Sequence, residues 1–292
     1  MHEQLATAIG NVIGATLRRQ PSGRVHGGSI NDCFRWESDA GPIFVKVAAR
    51  ASPAMFESEA AGLAELERAE AVRVPRVLGV GSGAGVAWLA LEWIDMGPYA
   101  RATDSLLGER LALQHHRTQP SFGWNRDNTI GSTPQPNGEC ADWVSFFRNR
   151  RLRLQLDLAA ANGFRGHLQR RGEALLERMS GLFATHQPVA SLLHGDLWSG
   201  NRAADGQGQP VIFDPAVYYG DREADLAMTR LFGGFGPEFY SAYAGSWALD
   251  SGAGARVALY NLYHVLNHLN LFGAGYLGQA VALLDSLLAE LG

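Results

Sequence analysis

The hydrophobic period changes once along this 292-residue chain, and that change limits what it can fold into. Before Trp93 the apolar residues alternate in short runs. Phe34 and Trp36 share a face within 32–37, and Ile43, Val45 and Val47 alternate after the turn Asp39-Ala40-Gly41-Pro42. Further strands are predicted at 76–80 and 86–92, joined by the glycine-rich turn 81–85. A single helix interrupts them. Pro53 opens it, Phe56, Leu63 and Leu66 lie near one stripe, and Glu59 projects from an adjacent one. Beyond a hinge at Gly97-Pro98 the spacing turns helical, predicting helices over 105–117, 142–158, 167–183, 222–232, 255–272 and 275–291. The expected fold class is α+β with two lobes. Residues 1–93 form a small antiparallel sheet with one main helix, and residues 94–292 a larger, mainly α-helical lobe.

Two short apolar runs break the helical pattern, and both end in polar residues. In Leu192-Leu193-His194-Gly195-Asp196-Leu197-Trp198-Ser199-Gly200-Asn201, a strand delivers Asp196 into a loop, and Asn201 follows five residues later. That is the spacing of a kinase catalytic loop, where Asp accepts the acceptor's hydroxyl proton and Asn holds magnesium. Eighteen residues beyond Asp196, the run Val211-Ile212-Phe213 ends at Asp214, placed to reach a metal bridging the phosphates of ATP. Asp and Asn are also ordinary turn residues, so each signal alone is modest.

The cations sharpen the reading. The chain has 24 arginines and one lysine, Lys46. A lone lysine against that background marks a site where a compact ammonium cannot be exchanged for a guanidinium fork. Lys46 lies on the strand after Gly27-Gly28-Ser29-Ile30-Asn31, and Glu59 on the next helix is placed to pair with it. Gly28 and Ser29 would cover phosphates, and Glu92 and Ile94, either side of Trp93, would meet adenine through the backbone. The joint order is glycine loop, lysine, glutamate, hinge, Asp196 with Asn201, then Asp214.

Other features restrict the partners. Net charge is −4 with no polybasic run, which argues against nucleic acid. No apolar stretch reaches membrane-spanning length, and residues 1–14 lack a signal-peptide pattern. The two cysteines, Cys33 and Cys140, form no C-x-x-C motif and suit a reducing, cytoplasmic setting. No D-F-G or A-P-E occurs, so the acceptor is expected to be a small molecule. Asp225, in Gly220-Asp221-Arg222-Glu223-Ala224-Asp225, is a candidate acceptor for backbone N–H groups of the catalytic loop. His115 and His116 lack a carboxylate at metal spacing and read as surface residues.

Residues 194–201, 213–225 and above all Asp127-Asn128-Thr129-Ile130-Gly131-Ser132-Thr133-Pro134-Gln135-Pro136-Asn137 resemble the fructosamine/ketosamine kinase family. That family belongs to the aminoglycoside phosphotransferase branch of protein-kinase-like folds, and the resemblance runs from Gly27 into the last helices. It implies a phosphotransferase using ATP and Mg2+ that phosphorylates the C3 hydroxyl of a ketoamine (fructosamine or ribulosamine), a deglycation repair activity. Under it Asp196 is the base, Lys46 grips phosphates, and Asn201 and Asp214 hold the metal. Some members carry a cysteine in the glycine loop, where this chain has Ser29. Candidate substrate contacts are Trp198, Asp127, Asn128, Tyr219 and His264. The alternatives are a kinase of an aminoglycoside or choline, or an inactive kinase fold used for binding. A monomer or homodimer is expected.

Overall fold

A computed structural model describes residues 2–25, 31–49 and 53–292, so Gly28 and Ser29 lie outside the described residues. The first lobe comprises α1 (His2–Ile13), β1 (Gly23–Val25), β2 (Asp32–Ser38), β3 (Gly41–Ala48), α2 (Pro53–Arg68), β4 (Val77–Gly83) and β5 (Val86–Glu92). Its five strands form one antiparallel sheet in the order β1-β2-β3-β5-β4. The central position of β3 sets Lys46 between Cys33 of β2 and Leu89 of β5.

Two helices sandwich this sheet. Leu89 and Leu91 pack with Phe56, Leu63 and Leu66 of α2, as the helical stripe predicts. Val45, Val47, Trp88 and Ala90 pack instead with Leu5 and Ile9 of α1, a helix the sequence reading did not assign. Each of those two side chains contributes roughly 2 kcal/mol by leaving water, and Gly14, at φ +71°, closes the helix. With both faces covered, residues 86–91 are all buried, which is why β5 reads as a continuous apolar run.

The second lobe follows as β6 (Met96–Gly97), α3 (Arg101–His115), β7 (Asn128–Ile130), β8 (Thr133–Gln135), α4 (Trp143–Phe147), α5 (Arg153–Ala161), α6 (His167–Arg178) and β9 (Ser191–Leu193). It continues through β10 (Arg202–Asp205), β11 (Pro210–Ile212), β12 (Tyr218–Gly220), α7 (Glu223–Leu231), α8 (Pro237–Ser246), α9 (Ala253–Phe272) and α10 (Leu277–Glu290). A π-turn at Arg148–Leu152 joins α4 to α5. Helix α9 is the axis of the lobe, with Leu259, Leu262, Val265, Leu266 and Leu269 buried along it.

The expected hinge is tied down. Gly97 pairs with Ala204 of β10, and a Cβ on it would strike the carbonyl of Asp205. Arg73 of the first lobe donates to Asp205 at 2.7 Å, bracing the same corner. Short ladders then set two loops side by side. β9 pairs with β12, β10 with β11, and the N–H of Ala216 donates to the carbonyl of His194 at 2.8 Å. The loops carrying Asp196 and Asp214 therefore open toward the same cleft between the lobes.

Candidate active site

Lys46 is where the two lobes meet chemically. Its Nζ donates to Glu59 Oε1 at 2.6 Å and to Asp214 Oδ1 at 2.5 Å, joining residues 168 positions apart. Burial alone would disfavour its charge, yet the carboxylates of Asp214 and Glu59 hold it well above the usual lysine range. Burial also pushes the Glu59 carboxyl up, with Lys46 pulling against it. Asp214 sits at φ +57°, a left-handed conformation costing about 1–2 kcal/mol for a non-glycine residue. An ammonium carries three donors, so one remains for a ligand.

The Asp196 loop is fixed by its backbone. Asp225 Oδ2 accepts from the N–H of His194 at 2.7 Å, and Oδ1 from that of Gly195 at 2.8 Å, as the sequence suggested. Gly195 is at φ +83°, and a Cβ there would collide with the carbonyl of Ala216, so only glycine fits. The N–H of Asp196 donates to His194 Nδ1 at 3.2 Å, leaving Nε2–H to donate to the carbonyl of Phe213 at 3.0 Å. Burial lowers the His194 pKa, in keeping with that neutral tautomer.

His115 corrects the surface assignment. It is fully buried, with Nε2 3.2 Å from Asp225 Oδ2 and Nδ1 2.8 Å from the Tyr243 hydroxyl. Its carboxylate partner lies 110 residues away, beyond any local spacing rule. Burial opposes the Asp225 charge, but His115 and the loop amides hold its carboxyl below the usual range. His116 is exposed and stacks on Trp247.

Burial, and next the charge of Asp214, push the Asp196 carboxyl up to about 7, against a hydrogen bond from Asn201 Nδ2 at 3.3 Å. The same Asn201 amide donates to the carbonyl of Asp196 at 2.9 Å. A cavity of about 590 Å³ lies between the lobes, walled by Phe44, Leu91, Trp93, Ile94 and Phe213. An adjoining space of about 160 Å³ is lined by Met55, Asn128, Thr129, Asp196 and Trp198. Lys46, Cys33 and Asp214 border both, so the two form one cleft. Burial pushes the Cys33 thiol up to about 11, keeping it protonated.

The sequence-selected residues separate accordingly. Lys46, Glu59, Asp196, Asn201, Asp214, Trp198 and Asn128 converge on the smaller space, while Glu92 and Ile94 border the larger. The Glu92 carboxylate turns aside to accept from the N–H of Arg76 at 3.2 Å. Three proposed substrate contacts are placed elsewhere. Asp127 is exposed and accepts from the N–H of Asn137 at 2.7 Å, closing its own loop. Tyr219 points its hydroxyl at Glu65 of α2, 2.7 Å away. His264 is buried in α9 beside Tyr263, where burial drives its pKa down to about 3.

A family model described as fructosamine kinase matches residues 1–290. The chain belongs to the fructosamine kinase family. It is 41% identical over 287 residues to a probable ketoamine kinase of Synechocystis sp., covering 98% of this chain and 96% of the relative. Over 272 residues it is 42% identical to the chloroplastic protein-ribulosamine 3-kinase of Arabidopsis thaliana, covering 92% and 83%. The crystal structure of a candidate fructosamine-3-kinase from Thermobifida fusca superposes with a TM-score of 0.88 at 31% identity, covering 98% of each chain.

In this fructosamine kinase family member, the stretch that carried the resemblance is largely a scaffold. Asn128 Nδ2 donates to the carbonyl of Val217 at 2.8 Å, while Gln135 and Asn137 both donate to Asn128 Oδ1 at 2.8 Å. Gln135 also reaches the carbonyl of Ala216, two residues past Asp214. Arg151, fully buried in the π-turn, donates to Asn137 Oδ1 at 2.6 Å and to the carbonyl of Pro136 at 2.8 Å. Its guanidinium lies 4.2 Å from the Tyr218 ring centroid. The sequence reading missed Gln135, Asn137 and Arg151 as site-shaping residues. A buried arginine has no local signature, although an Asn/Gln-rich stretch following the family pattern was a usable hint.

Proposed function

We propose that this chain is an ATP-dependent kinase that phosphorylates the C3 hydroxyl of ketoamines such as fructosamines and ribulosamines, initiating their removal from amines. The observation carrying this reading is the convergence of Lys46, Glu59 and Asp214 beside Asp196 in one cleft, in a chain 41% identical to a ketoamine kinase. Residues 1–93 would serve as the nucleotide-binding lobe and 94–292 as the catalytic and substrate-binding lobe. Adenine would lie against the apolar wall near Phe44, Leu91 and Phe213 and bond the backbone of Glu92 and Ile94. The third donor of Lys46 would reach the phosphates, with Gly28 and Ser29 closing over them.

Asp196 would accept the C3 hydroxyl proton as oxygen attacks the γ-phosphorus and the bond to ADP breaks. A carboxyl pKa of about 7 suits that exchange at neutral pH. The Asp214 carboxylate and the Asn201 amide oxygen are hard oxygen donors of the type Mg2+ takes, and the Asn201 N–H bonds to the loop leave that oxygen available. Bound there, Mg2+ would neutralise phosphate charge. Once the ketoamine enolises toward C1, the C1=C2 electrons expel phosphate from C3, and water then hydrolyses the resulting imine and frees the amine. Among the described residues no helix is long and apolar enough to cross a membrane. The two free cysteines fit the cytoplasmic setting we propose.

A coupled ADP-release assay with ribulose- and fructose-amine adducts beside kanamycin and choline tests the reading. Turnover is expected with ketoamines only, and Asp196→Asn should abolish it. Phosphorylation of kanamycin with silent ketoamines would overturn it.

A further inference from the structure

Trp198, on the wall of the acceptor space, is the first ring of a longer row. Its centroid lies 6.0 Å from Phe232, Phe232 lies 5.1 Å from His268, and His268 lies 5.4 Å from Phe272 and 5.1 Å from Tyr276. The row crosses four segments, from the Asp196 loop through the end of α7 to α9 and the turn before α10. Its position is fixed at the inner end. Gly234, just after Phe232 and at φ +96°, packs so closely on Ser199 that a Cβ would strike the serine Cβ. His268 Nδ1 is tied to the carbonyl of His264 at 2.8 Å, and burial lowers the pKa of its ring, so the row carries no charge at neutral pH. Yet Phe232 is 41% exposed and Phe272 54% exposed. Large apolar rings left in water, contiguous with a substrate space, mark a surface that receives something.

We propose that this aromatic ledge receives an apolar carrier on the ketoamine's amine, so that the enzyme favours adducts of hydrophobic amines over those of small or acidic ones. The inference rests on the ketoamine kinase reading. With the C3 hydroxyl at Asp196, the amine on C1 lies two carbons away, and Trp198 stands two residues from Asp196. A hydrocarbon chain or aromatic ring leaving that nitrogen along Trp198 meets Phe232 and then the outer rings. An acidic carrier would lose water there and meet no cation among these rings.

The test compares kcat/KM for fructosamines of methylamine, hexylamine, 2-phenylethylamine and glutamate. Hexyl and phenylethyl adducts should exceed the methyl adduct roughly five- to tenfold, the gain expected of aromatic contact. Phe232→Ser and Phe272→Ser should bring that ratio toward one, and Phe272→Tyr should restore most of it. Equal use of all carriers by the wild type, or a ratio that survives both serine variants, overturns the ledge while leaving the kinase reading standing. Silence with every ketoamine overturns both. Light scattering that finds a wild-type dimer made monomeric by Phe272→Ser also overturns it, because a second copy would then cover these rings.

Discussion

Replacing Lys46 with arginine keeps the charge and should still disable the enzyme. Two of the three ammonium donors are engaged, at 2.6 Å to Glu59 and 2.5 Å to Asp214, which leaves one for a phosphate oxygen. A guanidinium is a planar fork that matches carboxylates two donors at a time. In a position only 5% exposed, it should lock onto Glu59 and Asp214 with four of its five N–H donors, leaving the fifth fixed in the guanidinium plane, unable to swing to the phosphate as an ammonium donor does. Losing one charge-assisted hydrogen bond costs about 1.5–3 kcal/mol. That corresponds to a fall of roughly 10- to 150-fold in kcat/KM for ATP. The coupled ADP-release assay reads this directly, with thermal melting as a control for folding. Lys46→Met is the contrasting variant. It leaves the part-buried carboxylates of Glu59 and Asp214 without their cation and should destabilise the fold by about 1–3 kcal/mol, whereas the arginine variant should melt close to the wild type. If Lys46→Arg retains more than about a third of the wild-type kcat/KM for ATP, Lys46 does not act through a third ammonium donor at the phosphates.

Asp196 should show its raised pKa in both activity and stability. Because its carboxyl is pushed from 3.8 to about 7 on folding, the folded state favours the protonated form. The ionised group therefore destabilises the fold fully above pH 7, and this cost disappears as pH falls below the unfolded value. Wild-type kcat/KM should fall as pH drops and Asp196 takes up a proton, with Mg2+ at Asp214 moving that fall below the metal-free value of about 7. Asp196→Asn should be inactive yet melt higher than the wild type at pH 8, with the difference vanishing near pH 4 by differential scanning calorimetry. Arg151→Met should cost roughly 2–4 kcal/mol in chemical denaturation, because Asn137 Oδ1 and the carbonyl of Pro136 lose a charged donor. Its kinetic effect should fall on KM for the ketoamine more than on KM for ATP, since the network it braces reaches Asn128 on the acceptor side.

Much of the site was legible because its pieces are local. A strand end delivering Asp196, a left-handed Gly195 and an Asn201 five residues on are features of one short loop, and their order with Lys46 and Glu59 follows the chain. The elements that escaped lack a local signature. Helix α1 showed itself only indirectly, through the unbroken apolar run 86–91 that needs cover on both faces. Helix α8 (Pro237–Ser246) is rich in Tyr, Ser and Ala and buries Phe239 and Tyr243 without an obvious stripe. His115 looked like a surface residue because the carboxylate it meets is 110 positions away. Tyr219 and Asp127 sit close in sequence to site residues, yet their polar atoms are taken by Glu65 and by the N–H of Asn137.

The sequence by itself determined the chemical parts: a single ammonium, the carboxylates and an amide at strand and loop positions, and a change of period that separates a sheet-bearing lobe from a helical one. Those follow from short-range sterics and from hydrophobic spacing, which act over a few residues. Only the tertiary structure decided which groups meet. It joined Lys46 to Asp214 across 168 positions, paired His115 with Asp225, turned three polar candidates away from the cleft and carried Trp198 into a row of rings. The reason is packing. Where a helix lies on a sheet or another helix is settled by the fit of whole buried faces, and that fit sets the distances between residues far apart in the chain.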